Sequence, residues 1–319
     1  MDGPSFLTSA LLASFGLTVA CSSWTKKEAT DEPSLSKSEQ LILDEYKAEV
    51  EVGRNMAGRL FTFYGEYEDE GLKSYINGVG DYVARYGDYP DRRYMFGILD
   101  SDSVNAFACP GGYILVTRGV LESAANEAEI AAILGHEAAH VGKKHMFNAL
   151  RAMSKDQVAQ AEAEAAARKR PDKYSRARLR PVGDNSESGS AIAKFLTTAS
   201  GAGLGILQAA KLGMGLLLEK GLDKDLEFEA DREGVKYAIR AGYDPKALDR
   251  FLERLAETKK KNNDKTVMDV THPSIPDRRK VIAEILNRMG ADQIIGAVGK
   301  DRFETARAKL VASGKETKK

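Results

Sequence analysis

Residues 126–150 read NEAEIAAILGHEAAHVGKKHMFNAL. Asn126 with Glu129 three residues on is a helix-start pair, and the run to Leu150 has no proline and, before Gly142, one glycine, Gly135. That pattern predicts one long helix. On it His136 and His140 are four residues apart; at about 100° per residue they sit roughly 40° apart on one face, one turn from each other. Both imidazoles can converge on a single ion, and a nitrogen-rich site with an open position suits zinc. Glu137 lies about 100° round from His136. Its carboxylate therefore stands beside such a metal, where it can take a proton from water held there. The plain alternative is a pair of surface histidines with a solvated glutamate.

A catalytic zinc keeps three protein ligands, and the chain has four histidines. His145, nine residues after His136, falls roughly 180° round a continuous helix and should face away; it reads as a surface histidine beside Lys143 and Lys144. The better source is LEFEADREG, where Glu227 and Asp231 are again i, i+4 on a helical stretch. One carboxylate can bind the metal while the other reaches the free N–H of a ligand histidine and fixes its orientation. Read alone, the segment is more naturally a solvated acidic face.

Outward from this core, Ser36 to Glu39 forms a capping-box pattern ahead of a helical stretch. Leu72, Tyr75, Ile76, Val79 and Val83 recur with helical spacing. Two short β signals precede residue 126: alternation through Tyr94, Phe96 and Ile98, and Tyr113-Ile114-Leu115-Val116-Thr117 after Pro110-Gly111-Gly112. Residues 199–218 are apolar and glycine-rich but broken by Gln208 and Lys211, which suits a buried or groove-lining helical hairpin and not a membrane span. The expected class is α+β, predominantly helical, with a small sheet beside the HExxH helix.

Lys+Arg and Asp+Glu both total 47, so nothing in the charge balance points to nucleic acid. The two cysteines, Cys21 and Cys109, exclude a disulfide scaffold. Phe6 to Ala20 is an uncharged apolar run; fifteen residues make roughly 22 Å of helix, short for a span and suited to a secretory signal. Thr18-Val19-Ala20-Cys21 is similar to a bacterial lipobox, which would make Cys21 the lipid-anchored first residue of a mature envelope protein facing the periplasm; a plain signal peptide or a misassigned start is the alternative. The expected organisation is a signal peptide (1–20), a polar tether (21–38), a metalloprotease domain (39–290) with a mobile basic loop at about 168–190, and a C-terminal helical tail (291–319).

HEAAH, EFEAD, NAFACPGGYILVTRG and THPSIPDRR, in that combination, resemble the HtpX and CAAX-prenyl-endopeptidase class of zinc metalloproteases, most closely its soluble bacterial envelope members, the BepA-like proteins. The resemblance runs from about residue 40 to 290. It implies a zincin-like fold, one Zn²⁺ per chain held by His136, His140 and Glu227, and Glu137 as general base. Asp231 would orient a ligand and Arg278 follows the late His-Pro; His272 would reach the site, stabilising the tetrahedral intermediate or capping the metal at rest. It further implies that Gly112, Tyr113, Ile114 and Leu115 belong to an active-site edge strand on which extended polypeptide adds as another strand. Unfolded or unassembled envelope proteins are the implied substrates. Many members carry several membrane helices, and none is evident here. Cys109 reads as a buried thiol with no histidine to activate it. A zinc-holding chaperone or assembly factor, with latent or no proteolysis, is the rival reading.

Overall fold

The computed structural model describes residues 35–153, 205–262 and 271–316. The signal peptide, Cys21, most of the tether and the basic loop at 168–190 lie outside the described residues. Ser36 caps α1 (Lys37–Tyr64) with a full capping box, so the helix starts two residues inside the expected tether. After α2 (Glu70–Ala84) come β1 (Met95–Leu99), β2 (Ala106–Cys109) and β3 (Tyr113–Thr117), then α3 (Arg118–Ser123) and α4 (Glu127–Gly142). The chain continues through α5 (His145–Ala152), α6 (Ile206–Gly215), α7 (Lys224–Arg240), α8 (Ala247–Asn262), α9 (Ile275–Arg288) and α10 (Lys300–Glu316). The fold is α+β and mostly helical. No helix among the described residues is long and apolar enough to cross a membrane.

The sheet order is β1–β3–β2, with β1 parallel and β2 antiparallel to β3. Both faces are covered. Phe96, Ile98, Ala106, Ala108, Ile114 and Val116 face a core built with α2, α4, α7 and α8, while Leu99, Phe107, Cys109 and Leu115 face a second core against α1 and α6. Two-sided burial explains why Ala106-Phe107-Ala108-Cys109 carries no polar alternation to mark it as a strand. The order corrects one expectation: Tyr113, Ile114 and Leu115 are in the central strand, hydrogen-bonded on both sides, and Gly112 is packed against the Arg93 carbonyl. Neither side of β3 is free to accept another strand. The outer side of β1 is also sealed: the Asn77 side chain donates to the Phe96 carbonyl at 2.9 Å and accepts from its N–H at 3.2 Å, and the Tyr67 N–H donates to the Ile98 carbonyl at 2.9 Å. Among the described residues, β2 has no strand on its outer side.

The helix at 126–150 is likewise two helices. Asn126 caps it as expected, but α4 ends at Gly142, and Lys144 takes a left-handed conformation (φ 57°, ψ 31°) before α5 begins. Lys144 is held there by Nζ contacts of 2.6 Å to both Glu45 and Glu49 on α1.

Every residue of α4 is buried. Its tightest neighbour is α7. At Gly234 an added Cβ would lie 2.5 Å from the His136 nitrogen, and at Gly135 one would lie 2.9 Å from the Gly234 carbonyl. Backbone meets backbone here because neither residue has a side chain. Beyond residue 290, Phe303 and Leu310 of α10 are buried in the main core, and Arg302 pairs with Glu127, which also accepts the hydroxyls of Tyr75 (2.9 Å) and Tyr243 (3.0 Å) at the start of α4.

Candidate metal centre

The α4–α7 contact sets the site. Glu227 and Asp231 lie two turns and one turn before Gly234, so the close approach at that glycine brings both carboxylates to the histidines of α4. His136 Nδ1 stands 3.0 Å from Asp231 Oδ1, which leaves Nε2 facing inward. There His136 Nε2 and His140 Nε2 are 3.1 Å apart, and Glu227 stands between them at 3.7 and 3.5 Å. His272 Nε2 comes within 3.5 Å of Glu227 Oε2, and its Nδ1 is 3.0 Å from the Thr271 hydroxyl. The donors of His136, Glu227 and His272 all lie within 4.8 Å of one another. Glu227 Oε2 is buried without a hydrogen-bond partner.

These distances fit a cation. Metal–nitrogen and metal–oxygen bonds of about 2.0–2.1 Å in a tetrahedron put neighbouring donors ~3.3 Å apart, and the observed spacings of 3.1, 3.5 and 3.7 Å bracket that edge. The residues that could hold the ion are His136, His140, Glu227 and His272.

Charge is balanced around them. Burial opposes ionisation of Glu227, but the neighbouring His272, His140 and His136 rings hold its carboxyl well below the usual range. Burial lowers the basicity of His136, yet the Asp231 hydrogen bond and charge outweigh it and bring the ring to about 9. A basic imidazole is a strong ligand. Asp231 is itself fully buried. Its desolvation is overcome by Arg278, whose Nε and Nη2 bond its two oxygens at 2.9 and 2.6 Å. Ser274 caps α9, and Pro276 in the first turn starts the helix that carries Arg278 into place. Burial pushes the Glu137 carboxyl up, although His136 and His140 pull the other way. For His272, burial dominates and takes the ring down to about 3.

The structure thus brings together His136, Glu137, His140, Glu227, Asp231, His272 and Arg278. It does not bring in Gly112, Tyr113, Ile114 or Leu115. The strand at the site is β2: a small open cavity is lined by Ala106, Phe107 and Ala108 together with Glu137, His140 and His272. Gly221 crosses close by, where a Cβ would strike the Thr271 carbonyl at 2.2 Å. The break after Gly142 reverses the expectation for His145. It is 3% exposed, and its Nδ1 lies 2.9 Å from His140 Nδ1 while its Nε2 lies 3.3 Å from Glu229 Oε2. Burial and the neighbouring His140 lower its pKa to about 4. A Gly-Lys-Lys sequence was the one local hint that the helix stops there.

The sequence pattern of peptidase family M48 matches residues 72–286. Among curated proteins the chain is similar to the beta-barrel assembly-enhancing protease of Yersinia pestis, 30% identical over 210 residues, covering 65% of this chain and 37% of that protein. The Escherichia coli K12 protein of the same name is 26% identical over 242 residues, covering 75% of this chain and 43% of its own length. The mitochondrial metalloendopeptidase OMA1 of Schizosaccharomyces pombe is 28% identical over 227 residues, 69% of this chain and 57% of that one. The chain thus spans less than half the length of these two bacterial relatives.

Proposed function

We propose that this chain, which belongs to peptidase family M48, is a zinc-dependent endopeptidase acting on extended polypeptide, with His136, His140 and Glu227 holding the metal and Glu137 as general base. One observation carries the reading: the unpartnered buried oxygen of Glu227 among imidazole nitrogens at metal-edge spacing. Bound there, zinc supplies Lewis-acid polarisation of a carbonyl and acidifies water.

The chain's own groups do the rest. Glu137 is buried beside the donors, and desolvation raises its affinity for a proton. A carboxylate so placed takes a proton from the attacking water and then gives it to the leaving amine. Asp231 holds the His136 ring through Nδ1, and Arg278 fixes Asp231 with two bonds. β2 offers its outer side to substrate backbone along the cavity, which would favour unfolded chains over folded ones and read little side-chain identity. His272, 3.5 Å from Glu227, would cap a bound ion at rest.

By the same reading the enzyme works in the bacterial envelope on misfolded or unassembled proteins, anchored through lipid at Cys21. The relatives named as assembly-enhancing proteases and the Thr18–Cys21 motif support that address. The decisive experiment is Glu137→Gln. It should keep stoichiometric zinc and lose cleavage of an unfolded substrate such as casein; undiminished cleavage would overturn the mechanism.

A further inference from the structure

The two ligand histidines are oriented by different chemistry. His136 Nδ1 meets a carboxylate, Asp231, at 3.0 Å, whereas His140 Nδ1 meets another imidazole, His145 Nδ1, at 2.9 Å. Two ring nitrogens at that distance require one to donate and the other to accept. Glu229 decides which. An ionised carboxylate only accepts, so the His145 ring bonds it by carrying its proton on Nε2, 3.3 Å from Glu229 Oε2. His145 Nδ1 is then a bare acceptor. The His140 proton must sit on Nδ1, and Nε2 is left free toward Glu227 and His136.

We propose that His145 is a positioning residue for the metal centre: Glu229, His145 and His140 form a directed hydrogen-bond chain that fixes the tautomer in which His140 can bind a cation. The inference rests on the metal-centre reading above. Its structural basis is separate, because the chain needs the break between α4 and α5. A continuous helix would carry His145 away; the left-handed Lys144 swings it back, and the two Lys144 ion pairs to Glu45 and Glu49 on α1 hold that conformation. A non-glycine residue in that region is strained, so the turn persists through those contacts. Glu229 is partly exposed and also 3.7 Å from Lys143 Nζ, which places the outer end of the chain at the surface.

The test uses the full chain with zinc alone as ligand. Zinc affinity, measured by competition with a chelator, should fall roughly 10–100-fold in His145→Ala, the range for lost orienting partners. His145→Asn sets an amide oxygen near the position of Nδ1 and should recover most of that loss. In the zinc-free wild type, ¹⁵N correlation spectra should show His140 protonated at Nδ1, and His145→Ala should shift that ring toward a mixture. Wild-type affinity in His145→Ala, an Asn variant no better than Ala, or an Nε2-protonated His140 in the wild type each overturns the proposal. If the wild type binds no stoichiometric zinc, the metal-centre reading falls with it.

Discussion

Gly234→Ala asks whether the α4–α7 contact builds the site. In a helix interior this change gains about 1 kcal/mol in propensity. Here the new Cβ would sit 2.5 Å from the His136 nitrogen and 2.6 Å from its Cα. Atoms in contact need ~3.5 Å, so the helices must part by about 1 Å, and backbone atoms cannot rotate out of the way. Overpacking of this kind costs about 1–3 kcal/mol, enough to cancel the propensity gain and leave a net loss of up to ~2 kcal/mol. The same movement lengthens the 3.0 Å contact of His136 Nδ1 with Asp231 beyond hydrogen-bond range. Zinc affinity should then drop roughly 10–100-fold. The control is Gly78→Ala on the exposed side of α2, where nothing lies within 4 Å of the new Cβ; it should stabilise by up to ~1 kcal/mol with zinc binding unchanged. Thermal unfolding of the zinc-free proteins and chelator competition read both quantities. A Gly234→Ala protein that melts at or above wild type and binds zinc equally well would refute the reasoning.

Arg278→Leu removes the two guanidinium bonds from buried Asp231 and leaves it only His136, which should cost up to about 3–5 kcal/mol in denaturant unfolding. Asp231 titrates below its ordinary range, so its contribution is complete above about pH 4 and is lost only as pH falls further; the stability gap between wild type and Asp231→Asn should narrow in acid. Removing zinc should lower the melting temperature, by the equivalent of about 2.7 kcal/mol when the ion was at 100 times its Kd. His272→Ala should raise casein cleavage if that ring caps the resting site, and an unchanged or lower rate would remove the capping role. Burial pushes the Cys109 thiol far up, so in a Cys21→Ser background a thiol reagent should label it only after denaturation.

What the sequence shows well is what repeats locally. His136 with His140, and Glu227 with Asp231, sit one helical turn apart, and that spacing alone puts each pair on one face. The pairing of the two helices is different: it depends on Gly135 and Gly234, which read as ordinary glycines until the backbones meet. The place of His145 is not legible locally, because Lys143 and Lys144 are good helix formers and the turn there is imposed by glutamates about a hundred positions upstream. The strand at the site is likewise the less legible of the two. β3 has the β-branched residues that mark a strand, while β2 is four small or aromatic residues whose place at the edge follows only from pairing across the intervening turn.

The glycine contact between α4 and α7 has a mechanical consequence. The backbone contact at Gly135 and Gly234 ties α4 to α7, so a single helix pair sets the spacing of His136, His140 and Glu227. His272 reaches the same donors from the other side, on a segment leaning on Gly221 and preceding α9. Gly221 also leads into α7, so one turn supports the residue before His272 and delivers Glu227, and a side chain added there is felt at both.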